Sequence, residues 1–511
     1  MEKQPIASTT LGKLQGTLEE GVVVFRGIQY GKSTAGKGRF MPPELPEPWT
    51  GIRPAVEFGP ICPQGGALAG NALSDASTIG PLPSLPLSED CLYLNVWAPA
   101  MGDSGKRPVL FWLHGRGFNE GAGSEGWYNG TKLAASGDVV VVTINHRLNI
   151  FGYLYLAELG GEKHATSGVN GMLDAVLALE WVRDNIEAFG GDPNNVTIFG
   201  ESGGGAKVST LLALPQAQGL FHKAIIQSGP GIMGMAPATA TAFAKKVLHH
   251  FGLGKETIHQ LQEVSAEQLR EAVEKIAGVG PGGSLFISPV VDGKIYPRHP
   301  FSPDAAPTSV KIPVIVGSNK DESALFSAAD PRRRKLTEEE LNQRLDRLLG
   351  ERKAEILAVY RKHRPHDTPW DLLIGISSEG MRLRSIQLAE AKYQAGGAPV
   401  YMYLFTWESN YMRGLFKASH AMEIPFVFNN PDIAPFTGDS LDRYELAASM
   451  SQSWVNFART GNPNVPGLPH WPAYDPETRA TMLFHVPCRV ENEPRQEERL
   501  VWKGKPALRI L

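Results

Sequence analysis

The residues best placed to do chemistry are Gly200-Glu201-Ser202-Gly203-Gly204, which follow directly on the apolar run Val196–Phe199. A GxSxG pentapeptide alone says little in a chain with 55 glycines. Its surroundings say more: a predicted strand leads in, and a helical pattern over Ala206–Leu212 leads out. Glycines at 200 and 204 suit a tight strand-to-helix turn that would crowd larger side chains. The segment is therefore predicted to be a nucleophile elbow, lifting Ser202 Oγ above a sheet and offering the Gly203 N–H to a developing oxyanion. A glycine-rich helix start can instead bind phosphate, but this loop lacks the glycine spacing and lysine of a P-loop.

A serine hydroxyl needs a base, and the base needs an orienting acid. Behind such an elbow the expected chain order is serine, then Asp or Glu, then histidine. The apolar run Val314–Val316 leads into Gly317-Ser-Asn-Lys-Asp321-Glu322, and Val400–Phe405 leads toward a loop holding His420. Spacing alone leaves Asp321 and Glu322 open as the acid, and His420, His470 and His485 open as the base.

These residues need a scaffold. Short Val/Ile/Leu-rich runs at Val109–Leu113, Val139–Ile144, Val196–Phe199, Ala224–Gln227, Val314–Val316 and Val400–Phe405 read as strands buried on both faces. Between them, Met172, Val176, Leu179, Val182, Ile186 and Phe189 recur at helical steps. Strands alternating with helices imply a large, mostly parallel sheet covered on both sides, with ligands at the carboxyl ends of the strands. Helical patterns around Glu338–Tyr360 and Met381–Ala395 suggest a helical insertion over about 325–398. No linker divides the 511 residues, so one α/β domain with insertions is expected. A Gly/Pro/Ser/Ala-rich stretch, 60–90, reads as a long loop flanked by Cys62 and Cys91.

Composition excludes several classes. A net charge of −3 points to neither nucleic acid nor an anionic membrane surface. The basic run Arg332–Lys335 precedes Thr337 and Glu340 at capping-box spacing, so it reads as a solvated entry to a helix. No apolar run approaches the roughly 20 residues of a bilayer span. The opening residues lack the apolar core of a secretory signal, so a cytoplasmic protein is expected, or a secreted or periplasmic one if a signal was trimmed. The three cysteines and 13 histidines form neither a zinc-ligand cluster nor HExxH, and no metal or cofactor is expected.

Two long motifs carry a resemblance to type-B carboxylesterases, the family of cholinesterases and bacterial para-nitrobenzyl esterases. They are Phe189-Gly-Gly-Asp-Pro-Asn-Asn-Val-Thr-Ile-Phe-Gly-Glu-Ser-Gly-Gly204 and Glu89-Asp-Cys-Leu-Tyr-Leu-Asn-Val-Trp-Ala-Pro99. Phe25-Arg-Gly-Ile, Ile144-Asn-His-Arg-Leu, Gln227-Ser-Gly and Trp454-Val-Asn-Phe-Ala-Arg-Thr-Gly-Asn-Pro-Asn464 support them across nearly the whole chain. The resemblance implies an α/β-hydrolase fold and a small-molecule ester substrate. It chooses Glu322 as triad acid, from Lys320-Asp-Glu-Ser323, and His420 as base, from Ser419–Phe428. It also implies polar support near the histidine from Glu201, Ser228 and Glu423, and a disulfide between Cys62 and Cys91. The expected chemistry is two-step acyl transfer, failing as His420 protonates below about pH 6–7.

The oxyanion loop departs from the family's pattern. Where a run of glycines is usual, this chain has His114-Gly115-Arg116-Gly117-Phe118. The donors expected are the N–H groups of Gly117, Gly203 and Arg116. The Arg116 guanidinium either points away or enters the cleft, where it could favour carboxylate-bearing esters. The nucleophile is followed by Gly203 rather than the commoner alanine. Phe118, Trp127, Ile232 and Phe326 are expected to line the pocket with Arg116. The rivals are amidase, carbamate hydrolase or lipase activity, and a non-catalytic adhesion or scaffold protein on the same fold.

Overall fold

The computed structural model describes residues 4–65, 84–102, 105–277, 287–330, 332 and 334–504. Most of the predicted 60–90 loop, residues 66–83, lies outside the described residues. In chain order the strands are β1 (Ile6–Ser8), β2 (Lys13–Gln15), β3 (Thr17–Glu19), β4 (Val22–Gln29), β5 (Ile52–Pro54), β6 (Tyr93–Ala98) and β7 (Arg107–Leu113). They continue as β8 (Val140–Ile144), β9 (Gly191–Glu201), β10 (Lys223–Gln227), β11 (Val314–Asn319), β12 (Val400–Phe405), β13 (Ala480–Phe484) and β14 (Arg489–Asn492). Eleven of them form one sheet in the order β14-β13-β12-β11-β10-β9-β7-β8-β6-β4-β3, and β1, β2 and β5 form a small separate sheet.

The strands from β8 through β13 pair parallel, while β6, β4 and β3 on one side and β14 on the other run antiparallel. The alternation of side chains along a strand divides the core in two. Val109, Phe111 and Leu113 enter one apolar cluster, Leu110 and Trp112 the other. All five are fully buried, as continuous Val/Ile/Leu/aromatic runs require when helices cover both faces.

The strand order fixes where the site must lie. Chain-wise β7 is followed by β8 on one side, and the connection then crosses back to place β9 on the other. That reversal is a topological switch point, and it opens a crevice at the carboxyl ends of the two strands. The crossover helix Asn170–Asn185 buries Met172, Val176, Leu179 and Val182. Ile186 and Phe189 complete the stripe on a 3₁₀ turn, Ile186–Phe189. Leu113 pairs with Gly200 at the end of the ladder, so His114–Phe118 and Glu201–Gly203 emerge side by side.

The insertion between β11 and β12 is helical. The Glu338–Tyr360 pattern is two helices, Glu338–Leu349 and Lys353–His363, broken at Gly350, whose φ of 56° suits glycine. Thr337 and Glu340 close the capping box: Glu340 N donates to Thr337 Oγ1 at 3.2 Å, and Thr337 N donates to Glu340 Oε2 at 3.0 Å. The Met381–Ala395 pattern is the second half of a 27-residue helix, Pro369–Ala395.

Candidate active site

Ser202 sits where β9 turns into the helix Gly203–Leu212, with φ 55° and ψ −119°. Such a backbone costs on the order of 1–3 kcal/mol and persists only where its surroundings hold it. Ser202 N donates to Gln227 O at 2.8 Å, and Ala206 N donates to Ser202 O at 3.1 Å. Close packing makes the neighbouring glycines necessary. A Cβ on Gly204 would stand 1.9 Å from Leu113 O, and one on Gly203 would stand 2.2 Å from Gly117 O. The turn leaves Ser202 partly exposed between buried neighbours.

The acid and the histidine approach from β11 and the loop after β12. His420 Nδ1 donates to Glu322 Oε2 at 2.6 Å, and Asn319 N donates to Glu322 Oε1 at 2.8 Å. Asp321 bonds elsewhere: its N donates to Ala418 O at 3.0 Å and its carboxylate accepts from Ala418 N at 3.3 Å. Asp321 thus pins the histidine loop while Glu322 meets the ring. His470 is exposed, and His485 lines a groove on the far strands with Arg489 and Glu491.

The other face of the imidazole meets Glu201, whose Oε1 lies 3.2 Å from His420 Nε2. Glu423 accepts from Asn319 Nδ2 at 2.5 Å and from Gln227 Nε2 at 3.3 Å. All three carboxylates are buried. Burial opposes charge on His420, yet Glu201, Glu322 and Glu423 outweigh it and lift the ring's pKa to about 9. Burial, with Glu423 and Glu322 adding to it, also pushes Glu201 well above the usual carboxylate range. Burial and then Glu322 push Glu423 up to about 7. The three carboxylates thus favour the protonated ring, while burial favours the uncharged carboxyls. Ser228 is fully buried, but its Oγ has no hydrogen-bond partner among the described residues.

Facing the elbow, Arg116 and Gly117 are both left-handed, each with φ 61°. The Arg116 guanidinium grips Glu125, Nε to Oε1 at 3.0 Å and Nη2 to Oε2 at 3.2 Å, and Trp127 Nε1 also donates to Glu125 Oε2 at 3.0 Å. The carboxylate that Arg116 binds is thus the chain's own. Of the two readings, this favours the guanidinium turned away from the cleft: a carboxylate-bearing ester would have to displace a bidentate partner in a largely buried pair. Trp127 is correspondingly a buried support, stacked on Tyr128 at 5.5 Å. Phe118 packs edge-on against Tyr153 at 5.3 Å, and Ile232 is buried in the core. Phe326 is partly exposed, like Arg116, and its ring lies 5.0 Å from that of His420.

The expected Cys62–Cys91 disulfide is not formed; both cysteines are buried free thiols. Cys62 beside it, together with burial, pushes the Cys91 thiol well up, and Cys62 Sγ accepts from Leu148 N at 3.2 Å. A thiol held protonated is a poor partner for oxidation, which proceeds through thiolate. Among the described residues no cluster of His, Cys, Asp and Glu could hold a metal, and no helix is long and apolar enough to cross a membrane.

Sequence reasoning missed Asn319, Gln227, Glu125 and Lys207. Each makes at least one side-chain contact more than seven residues away, which only the fold creates. Asn319 ties the acid loop to the histidine loop, donating also to Ser419 O at 2.7 Å. Gln227 bridges Glu423 and Trp454, accepting from Trp454 Nε1 at 3.0 Å.

Comparison with known proteins identifies the family. The Carboxylesterase family model matches residues 3–502. The para-nitrobenzyl esterase of Bacillus subtilis (strain 168) is 39% identical over 502 residues, covering 97% of both chains. Among solved structures, a carboxylesterase of Geobacillus stearothermophilus superposes with a TM-score of 0.83 at 41% identity, covering 98% of this chain and 100% of that one. An esterase from Clostridium hathewayi that can hydrolyse aliphatic aromatic polyesters gives 0.84 at 36% identity, with 99% of each chain covered. With an α/β-hydrolase sheet, an elbow serine at its switch point and relatives matched along their whole length, the chain belongs to the carboxylesterase family and is a carboxylic ester hydrolase.

Proposed function

We propose that this enzyme cleaves small-molecule carboxylic esters through an acyl group carried on Ser202, with His420 as base and Glu322 as the orienting acid. The observation that carries the assignment is the 2.6 Å contact of His420 Nδ1 with Glu322 Oε2; a carboxylate there favours the Nδ1–H tautomer, in which Nε2 can accept a proton. His420 removes the Ser202 proton as Oγ attacks the ester carbonyl. The N–H groups of Gly117, Gly203 and Arg116 receive the oxyanion. His420 returns the proton to the departing alcohol, and water repeats the cycle on the acyl-enzyme. Glu201 and Glu423 add negative charge around the imidazolium that forms midway.

Labelling with a serine-directed fluorophosphonate tests this, read by mass at single-residue resolution. Wild type should take one label on Ser202. Ser202→Ala should take none and lose at least about 10⁴-fold in kcat, as triad nucleophiles do. Turnover or labelling that survives Ser202→Ala overturns the assignment.

A further inference from the structure

Lys207 is a lysine with no exposure at all, one turn into the helix behind the elbow. Its Nζ donates to His114 O and to Gly117 O, both at 2.8 Å, and the Phe118 ring centroid lies 5.6 Å away. No carboxylate pairs with it among the described residues. The acid whose charge acts on it, Glu125, is committed to Arg116 and Trp127. Burying an unpaired cation costs several kcal/mol, and an apolar side chain would serve the core better. Natural sequences break such a rule chiefly where function requires it.

The two carbonyls that Lys207 holds are the ends of His114-Gly115-Arg116-Gly117. Each carbonyl shares a rigid plane with the N–H that follows it, so fixing both ends constrains the peptide groups between. The loop needs that constraint, because Arg116 is left-handed, a conformation that costs a side-chain-bearing residue about 1–2 kcal/mol. On its other side the loop abuts the elbow, where Gly203 touches the Gly117 backbone. The lysine thus stands behind the groups that would face an oxyanion, in a dry site where one positive charge acts strongly.

We propose that Lys207 is a positioning residue for the oxyanion hole. Its ammonium clamps the His114 and Gly117 carbonyls so that the N–H groups between them stay aimed at the oxyanion, and its charge favours the tetrahedral intermediate over the bound ester. The proposal rests on the Ser202 and oxyanion assignment given above. Burial pulls the Lys207 pKa down to about 7. Its charge is therefore held weakly in the resting site and gains most when an anion forms in front of it.

The test uses the full chain, Lys207→Met, and a trifluoromethyl ketone that adds to Ser202 as a hemiketal. In Lys207→Met, kcat for a neutral ester should fall about 10- to 100-fold, less than loss of an oxyanion donor itself, with KM little changed. Ketone affinity should fall in parallel. The ionisation of the ¹³C-labelled hemiketal, read by NMR, should move up by about one pH unit, since it reports on the charge facing the oxyanion. A purely structural role would lower Tm and leave that ionisation where it was. If Lys207→Met does not fold, Lys207→Gln keeps N–H donors without the charge and should show the same upward shift. A variant with wild-type kcat, ketone affinity and hemiketal ionisation overturns the clamp. If instead wild type forms no hemiketal, or Ser202→Ala still forms one, the underlying nucleophile assignment fails.

Discussion

The carboxylates around His420 make a quantitative prediction for Glu201→Gln. An ordinary histidine would put the acid limb of activity below about pH 6–7. With Glu201, Glu322 and Glu423 around the ring, the pKa lies at about 9 against an ordinary value of 6.5, a lift worth about 3 kcal/mol at 1.36 kcal/mol per unit. The base must be neutral to act, so the resting enzyme should gain activity as pH rises through that value. Of the three negative charges that raise the pKa, Glu201 exerts the strongest pull through charge alone. Replacing it with glutamine keeps the shape, removes the charge, and should bring the acid limb of kcat/KM down by about one to two pH units. The same charge stabilises the imidazolium during turnover, so the alkaline plateau should drop by about 10- to 100-fold. The two profiles should converge toward neutral pH. Stability carries the opposite sign. A pKa raised on folding contributes stability that is full below the unfolded value near 6.5 and is lost as pH rises through about 9. Glu201→Gln should therefore lower Tm more at pH 6 than at pH 9. The assay is kcat/KM for a neutral ester from pH 5 to 10, with melting curves at both ends. An acid limb that stays in place in Glu201→Gln, or a wild-type limb near 6.5, would refute the reasoning.

Three further predictions concern the loop and the cysteines. Gly203→Ala puts a methyl 2.2 Å from Gly117 O and 2.4 Å from Gly117 N. The two loops must separate, so kcat should fall about 100-fold, as for a misaligned oxyanion donor; full kcat in this variant would contradict the packing. Arg116→Gly relieves about 1–2 kcal/mol of backbone cost but strands buried Glu125, at about 3–5 kcal/mol. Denaturant melts should show a net loss of about 2 kcal/mol, recovered in Arg116→Gly/Glu125→Gln. The ratio of kcat/KM for a carboxylate-bearing ester over a neutral one should not change in Arg116→Gly, and a selective loss of the anionic ester would return the guanidinium to substrate binding. Thiol titration in denaturant without reductant should count three thiols; a count of one would mean that Cys62 and Cys91 are bridged.

What was legible in the sequence was what local chemistry dictates. The elbow could be read because glycines at 200 and 204 between a strand and a helix leave few other structures. The inner strands could be read because burial on both faces writes continuous apolar runs. The outer strands β3 and β14 could not, since Thr17–Glu19 and Arg489–Asn492 are partly or fully exposed and carry no such pattern. Glu322 could not be told from Asp321 by spacing. The resemblance chose between them, and the physical difference is that the Asp321 carboxylate is spent on Ala418 N. Arg116 was undecidable from its own position, because the residue that answers it, Glu125, lies on the far side of the loop. The disulfide was inferred from resemblance alone, and resemblance carries pairing without carrying the state of the thiols.

The two departures in the oxyanion region are best understood as one arrangement. The Gly117 backbone, beside left-handed Arg116, lies against the elbow, and that approach leaves no room for a Cβ at 203. An alanine after the nucleophile therefore requires the oxyanion loop to shift. Groups in direct contact couple energetically, whereas distant ones add. Gly203→Ala should accordingly be far less harmful in a background where Arg116→Gly and Glu125→Gln have released the loop. The coupling, read as the difference in ΔΔG‡ from kcat/KM between the two backgrounds, should exceed about 1 kcal/mol. Additive effects would mean that the loop and the elbow are set independently, and that the glycine at 203 has a cause other than the turn at Arg116.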